Sequence, residues 1–552
     1  FGRPPFHAHG HRQRMHRLRA VCDEMPGGLH QYDPGAMTAA PTYDLGKLHG
    51  GLRLAAEKLE STAAAIKTVP LPAQLILPLT QHSGSAAQPI VGIGEQVRKG
   101  QLIADADGAL SAPVHASSSG KIVAIEPWPV SRRYGEPAPC IVIECDGRDE
   151  PVEAAEPIVP YESIQPESLL QKILQGGIVG LGGAAFPTAQ KLMQANSLPL
   201  ENLLLNGVEC EPYISCDDML MREHASEVLG GAQVLMHALG LKNCYIAIES
   251  DKPDALQAVT DALVQLDDER LVLKQVPTIY PSGGEDQLVQ LLTDREVPSG
   301  GLPTDVGCLV QNVGTAAAVY RWICKGEPLT SRVTTITGDG IANPMNVRAR
   351  LGTTVADVVA FAGGYTGRAK QLIVGGPMTG KSITTDRVPV VKATNCILVM
   401  SHLAPPLDER PCIRCGECAV VCPVVLQPQE LYWFACADDE AKLREHGLTD
   451  CIECGCCDFV CPSHIPLMAG FRQAKARIRE LADEKARAER ARRRFESRTA
   501  RLDLAEQKRQ TELTEQKRAA VRAGPKDIQE MVERARKKDA APRARTKKGP
   551  EQ

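Results

Sequence analysis

Aromatic residues are scarce in this chain, with 8 Phe, 10 Tyr and 3 Trp among 552 residues. That shortage removes the stacking platforms on which single-stranded nucleic acid is usually held. Long apolar runs are missing too: none approaches the roughly 18–20 residues that a membrane-spanning helix needs. The chain is therefore expected to be soluble or peripheral, with no nucleic-acid partner. A strong net charge is also lacking, but the overall −4 conceals an asymmetry. From Arg472 onward there are 26 Lys+Arg against 14 Asp+Glu, a net of +12, which leaves −16 on the remainder. That tail ("RIRELADEKARAERARRRFESRTARLDLAEQKRQ") has helical propensity and little apolar surface. It is expected to be a solvated, partly disordered helix. A basic strap lying on anionic lipid or an acidic partner is the lesser alternative.

Cysteine, by contrast, is plentiful, at 19 residues. "CIRCGECAVVCP" at 412–423 is followed by "CIECGCCDFVCP" at 451–462. Both runs read C-x2-C-x2-C-x3-C-P, the spacing of bacterial two-cluster ferredoxins. In that pattern three thiolates of one run bind a [4Fe–4S] cube and the fourth comes from the other run. Cys412, Cys415, Cys418 and Cys461 are thus predicted to hold one cluster, and Cys451, Cys454, Cys457 and Cys422 the other. Zinc sites normally use two CxxC pairs without this triplet. Disulfide frameworks belong to small secreted chains, whereas this chain is large. Cys436 and Cys456 fall outside the pattern and read as packed or incidental thiols. The segment between the runs looks helical, so the cluster domain is predicted to be α-helical. Two clusters form a one-electron relay, which needs a two-electron donor site elsewhere in the chain.

The rest divides by pattern. The start, "FGRPPFHAHGHRQRMHRLRA", lacks Met, and Met37 opens a more ordinary sequence. Residues 1–36 are therefore expected to be a non-native or disordered extension. Residues 37–155 hold short strands cut by Gly and Pro, suggesting a barrel-sandwich-like β domain in which Lys121 is an ordinary turn residue. Residues 156–330 alternate helix and strand, implying an α/β domain on a mostly parallel sheet. Ligands in such sheets sit at the carboxyl ends of the strands. Residues 331–400 read as a β-grasp-like module around "TTVADVVAFAGG". The cluster domain is then 401–471, and the basic tail 472–552.

Four stretches of the α/β domain could form the donor site. "GLGGAAFPTAQKL" (180–192) offers glycines for close backbone approach to a flat or phosphorylated ligand, with Thr188 and Lys191 suited to phosphate. "NGVECEP" (206–212), "YPSGGEDQL" (280–288) and "QNVGTAAAV" (311–319) accompany it.

Together these stretches resemble the flavin- and NADH-binding 51 kDa subunit of respiratory complex I. Residues 37–470 are still more similar to the RnfC-type subunit of the Rnf/Rsx electron-transport complex. "LHGG" (48–51), "SAPVHASSSG" (111–120), "NGVECEPYISCDD", "IVGGPMTG" (373–380) and the doubled cysteine runs carry that likeness. The resemblance implies non-covalent FMN near Gly180, Gly182, Lys191, Asn206, Gly283 and Asn312. It implies that Gly183, Phe186 and Glu211 face NADH, with Phe186 stacking and Glu211 accepting from ribose hydroxyls. Glu209 and Glu285 are placed near the flavin ring and nicotinamide as candidate catalytic residues. It further implies an SLBB-like β-grasp module and an NADH:ferredoxin oxidoreductase subunit of an ion-translocating complex. Expected partners are integral membrane subunits, an iron–sulfur subunit, and ferredoxin or flavodoxin reached through the complex. The expected location is peripheral, on the cytoplasmic face of the bacterial inner membrane. This sequence departs from the complex I pattern at Leu181 (an arginine there), Ala185 (a glycine), Gly284 (a glutamate) and Gln194 (an aromatic residue). A microcompartment-type cobalamin reductase and a non-catalytic iron–sulfur scaffold are the alternatives.

Overall fold

A computed structural model describes residues 47–108, 110–131, 137–153, 158–402, 408–522 and 524–539. The expectations for residues 1–36 and for the end of the tail lie outside the described residues.

The α/β region is built on four strands in the order Leu271–Val276, Asn243–Glu249, Asn202–Gly207, Cys308–Asn312, every pair parallel. The two central strands read NLLLNG and NCYIAIE and are almost wholly buried, as strands covered on both faces must be. Helix Cys216–Leu239 crosses helix Val313–Lys325 at Gly230 and Gly231. A Cβ on Gly231 would lie 1.9 Å from the Ala316 carbonyl oxygen, so the glycines permit a backbone approach that outweighs their low helix propensity. The "GG" in the middle of that helical pattern is thus a packing feature. Asn206 and Asn312 stand side by side at the carboxyl ends of adjacent strands, where the parallel sheet opens to ligand.

Before this region, two small antiparallel sheets enclose Leu75, Leu77, Ile103, Ile122, Ile141 and Ile143. Lys121 is exposed on a strand of the larger sheet, opposite Gln96. After it comes a six-stranded mixed sheet, Lys67–Thr68, Met345–Arg350, Ser331–Thr337, Cys396–Met400, Gln371–Val374 and Lys381–Ile383 in spatial order. Its helix, Val355–Phe361, begins at a Thr354–Asp357 capping box, and Gly363 and Gly364 take positive φ just past its end. The edge strand Lys67–Thr68 comes from before the barrel sandwich. The chain therefore visits this third sheet before it builds the first two.

Both cysteine runs fold alike. Left-handed backbone occurs at Arg414, Gly416 and Val425, and again at Glu453, Gly455 and His464, each thirty-nine residues after its counterpart. One-turn helices Glu417–Val420 and Cys456–Phe459 follow at the same offset. The segment between is helical, Pro428–Cys436 and Glu440–Glu445, over a core of Leu431, Leu443, Leu448, Leu467 and Phe471. The tail continues from this core as one helix, Leu467–Arg522, buried only at Leu467, Phe471 and Ala474. The boundary drawn at 471–472 thus marks a change in exposure within one helix. Among the described residues no helix is long and apolar enough to cross a membrane.

Candidate functional site

All eleven residues predicted to handle nucleotide line one cavity of about 970 Å³. They are Gly180, Gly182, Gly183, Phe186, Lys191, Asn206, Glu209, Glu211, Gly283, Glu285 and Asn312. The glycine loop is closed by its own hydrogen bonds, Gly180 N–H to the Phe186 carbonyl at 2.8 Å and Ala185 N–H to the Gly180 carbonyl at 3.2 Å. Gly183 has φ +111° and open space where a Cβ would stand, so its backbone forms a bare floor. Ala185 holds φ +49°, the left-handed conformation in which glycine meets no penalty. That geometry explains why a glycine suits this position in the complex I pattern.

Several expected residues already serve one another. Lys191 Nζ donates to Glu285 Oε1 at 2.7 Å and to the Val310 carbonyl at 2.8 Å. Asn206 Nδ2 donates to the Gly283 carbonyl at 2.8 Å, and a Cβ on Gly283 would meet the Val208 oxygen at 2.7 Å. Gly283 is thus required for close packing of two loops. Asn312 Oδ1 caps helix Val313–Lys325, while its Nδ2 donates to Asp217 Oδ2 at 2.6 Å. The Glu209 carboxylate accepts the Asp217 N–H at 3.0 Å and the Asp218 N–H at 3.4 Å, where helix Cys216–Leu239 begins.

Glu211 differs most from expectation. Its Oε1 accepts the Met378 and Thr379 amides, both at 2.8 Å, and its Oε2 accepts Thr379 Oγ1 at 2.7 Å. The oxygens expected to receive ribose hydroxyls are held by the "GGPMTG" loop of the six-stranded sheet, which forms a wall of the cavity. Gln194 is exposed and does not line the cavity, and Leu181 is buried behind it.

Three lining atoms give an independent sign that a polar ligand belongs here. Thr188 Oγ1, Gln287 Oε1 and Gln311 Nε2 are buried and have no hydrogen-bond partner. Buried polar groups are rarely left unmatched, and each costs about 1–3 kcal/mol when they are. A bare glycine floor, orphaned donors and acceptors, and Lys191 fit a flavin mononucleotide. Gln287 and Asp217 were not singled out from the sequence. Burial and the neighbouring Glu209 push Asp217 up to about 7, against the opposing hydrogen bond from Asn312.

The cysteines gather around two small voids, the first of which Cys456 also borders. Cys422 borders one void with Cys451, Cys454 and Cys457, and Cys461 borders another with Cys412, Cys415 and Cys418. Burial raises the Cys418, Cys422 and Cys451 thiols, the last to about 11, so ligation there requires an ion able to displace the proton. Cys456 is buried against Tyr280 and Val421, and Cys436 is exposed.

The second run also reaches the large cavity, which Cys451 and Cys454 help to line. Tyr280 joins the two: its hydroxyl donates to the Cys454 carbonyl at 2.6 Å. Its backbone exchanges hydrogen bonds with Leu52 at 2.7 and 2.8 Å, and Gly51 N–H reaches the Val421 carbonyl at 3.0 Å. "LHGG" is therefore the stitch between the flavin-type domain and the cysteine-bearing domain, a role its sequence did not disclose.

A parallel sheet carrying a glycine-floored nucleotide cavity that abuts a doubled cysteine ladder defines a redox protein of the flavin-binding class. Comparison agrees: residues 173–321 match the family model of the Nuo51 FMN-binding domain. Residues 46–148 match the RnfC barrel sandwich hybrid domain, and 333–382 the SLBB domain. The chain belongs to the RnfC-type subunits of the ion-translocating oxidoreductase complex. It is 48% identical to the Pseudomonas aeruginosa subunit of this type over 465 residues, 84% of this chain and 60% of the relative. It is 44% identical to that of Serratia proteamaculans over 509 residues, 91% and 71% of the respective chains. This chain thus spans less than two thirds of the Pseudomonas relative's length. Among solved structures, an NAD+-reducing [NiFe]-hydrogenase in the H2-reduced state aligns at 18% identity and TM-score 0.41, covering 57% of this chain and 62% of that one.

Proposed function

We propose that this chain is the NADH-oxidising electron-input subunit of a membrane-bound, ion-translocating NADH:ferredoxin oxidoreductase. A single observation carries the reading: the cavity lined by every expected nucleotide residue is also lined by Cys451 and Cys454. Bound FMN supplies the exchange between a two-electron hydride donor and one-electron acceptors. The chain's own part is to hold and to space. Gly180 and Gly182 give the flavin a floor without side chains, Gly183 leaves open space on the nicotinamide side, and Lys191 neutralises phosphate. Phe186 stacks on the nicotinamide nucleotide, and Asn206 and Asn312 fix the loops at the strand ends.

The cysteine set of 451, 454, 457 and 422 holds the [4Fe–4S] cluster nearer the cavity, and the set of 412, 415, 418 and 461 the farther one. An iron–sulfur or integral membrane subunit would be the acceptor beside the farther cysteine set, with ferredoxin or flavodoxin reached through the complex. The location proposed is peripheral, on the cytoplasmic face of the inner membrane.

The test of the cavity is FMN binding, read as quenching of flavin fluorescence by the purified, cluster-reconstituted chain. Gly182→Val places a side chain over the floor beside Asn312, and is expected to abolish the quenching. Equal binding by wild type and variant would place the flavin elsewhere.

A further inference from the structure

A second cavity, of about 630 Å³, lies where the barrel sandwich, the flavin-type domain and the six-stranded sheet meet. It borders Asp217, which also lines the nucleotide cavity, and Leu181 of the glycine loop, but none of the floor glycines Gly180, Gly182 and Gly183. Its charges are unbalanced. Lys99 and Arg350 both turn to Asp149, the lysine at 3.0 Å. Arg321 Nε and Lys325 Nζ both bond Glu227, at 2.6 and 2.7 Å. Two carboxylates thus serve four cations, and among the lining residues five cations, Lys99, Arg321, Arg332, Arg348 and Arg350, face three carboxylates, Asp217, Glu227 and Glu327.

Two further cations have no carboxylate in hydrogen-bonding contact. Arg332 is buried and donates to the carbonyls of Val333, Lys392 and Leu181. Arg348 donates to His224 Nε2 at 3.0 Å, a bond that requires the neutral imidazole. The other acids facing Arg348 do not close the deficit. Glu223 accepts the Ile66 N–H at 2.7 Å, and Glu327 is exposed. Burial and repulsion from Arg321, against attraction from Glu227, Glu327 and Glu223, lower Arg348 to about 10. The Arg332 fork is taken up by carbonyls, whereas Arg348, with one bond to a neutral imidazole, keeps the rest of its planar donor fork for carboxylate or phosphate oxygens at the cavity it lines. Leu220, Ala317, Ala318 and Val333 give the same cavity an apolar side.

We infer that this three-domain junction binds a small organic oxyanion, a phosphate monoester or a carboxylate with an apolar body, through Arg348 and the surplus charge of Arg321 and Arg350. The site is separate from the proposed NADH and FMN chemistry and stands without it.

The test uses the full cluster-loaded, FMN-saturated chain and isothermal titration with phenyl phosphate, benzoate and the neutral benzamide. The oxyanions are expected to bind and benzamide to stay silent, and the tighter of the two oxyanions identifies the headgroup. Arg348→Met is expected to weaken binding by about tenfold or more, the loss of a charge-assisted hydrogen bond. Lys99→Met, at a half-buried position, is expected to weaken it severalfold and guards against a folding defect in the first variant. Absence of oxyanion binding at millimolar concentration, or affinity unchanged in both variants, would overturn the assignment.

Discussion

Gly50 offers the sharpest perturbation of the junction between the flavin-type domain and the cysteine ladder. It sits at φ +58°, and a Cβ there would stand 2.6 Å from the Val421 carbonyl oxygen and 2.7 Å from that of Cys422. Both obstacles are backbone, so no side chain can rotate away. Gly50→Ala therefore meets two costs. The left-handed conformation costs an alanine about 1–2 kcal/mol, and overpacking against rigid backbone about 1–3 kcal/mol. The neighbouring Gly51–Val421 hydrogen bond must stretch as well. On the proposed crossed ligation, a displacement of Cys422 would move the one ligand that the second-run cluster takes from the first run. The variant is expected to unfold at lower urea concentration by an amount equivalent to roughly 2–5 kcal/mol, the combined range of those two terms. Its second-run cluster is expected to be under-loaded, as read by iron content and EPR of the dithionite-reduced protein. Gly94→Ala is the control, because Gly94 has φ +94° but nothing within 4 Å of its Cβ position. It should bear the backbone cost alone and keep both clusters. Wild-type iron and stability in Gly50→Ala would refute the stitching role of "LHGG".

Three further outcomes are expected. Cys422→Ala should lose the cluster of Cys451, Cys454 and Cys457 and Cys461→Ala the other, each keeping about half the iron. Loss of the first-run cluster in Cys422→Ala would show that ligation is not crossed. Glu211→Gln turns an acceptor of three hydrogen bonds into a mixed group, and should weaken the loop's hold by about 1–3 kcal/mol. Faster hydrogen exchange at the Met378 and Thr379 amides is the readout, and unchanged protection would contradict the clamp. Burial holds Lys392 down to about 7 from its ordinary 10.5. Between those values the unfolded chain carries the extra proton, so stability should rise with pH across pH 7–10 by at most roughly 1.4 kcal/mol per unit. Lys392→Met should flatten that rise in urea midpoints at pH 7.5 and 9.5, and an identical slope in both proteins would contradict it.

What could be read from sequence was chemistry written in contiguous spacing. The doubled C-x2-C-x2-C-x3-C-P runs announced two like-folded loops, and the left-handed residues recur at the same offset. Three of the four nucleotide stretches end or follow parallel strands, whose carboxyl ends share one edge, and the fourth, 180–192, is tied to them where Leu181 N–H donates to Thr315 Oγ1. Contacts between distant segments were not legible. Nothing local to "NGVECEP" says that Glu211 will bind amides 167 and 168 positions away. Strand Lys67–Thr68 is too short to carry a periodic pattern, and its partner is Met345–Arg350. Gly230 and Gly231 lie inside a helical pattern, and nothing local says that Tyr320 and Ala316 will fill the space beside them. Nothing local marks Arg348 and Arg321, which only the meeting of three domains encloses.

The central claim is an internal path from nicotinamide to the clusters, and rapid mixing tests it most directly. Cluster-reconstituted, FMN-loaded protein would be mixed with NADH under anaerobic conditions and followed by absorbance and freeze-quench EPR. The account predicts bleaching of the flavin, then a reduced [4Fe–4S] signal that Cys422→Ala diminishes. Flavin that stays oxidised in the presence of NADH, in protein whose clusters dithionite readily reduces, would contradict it.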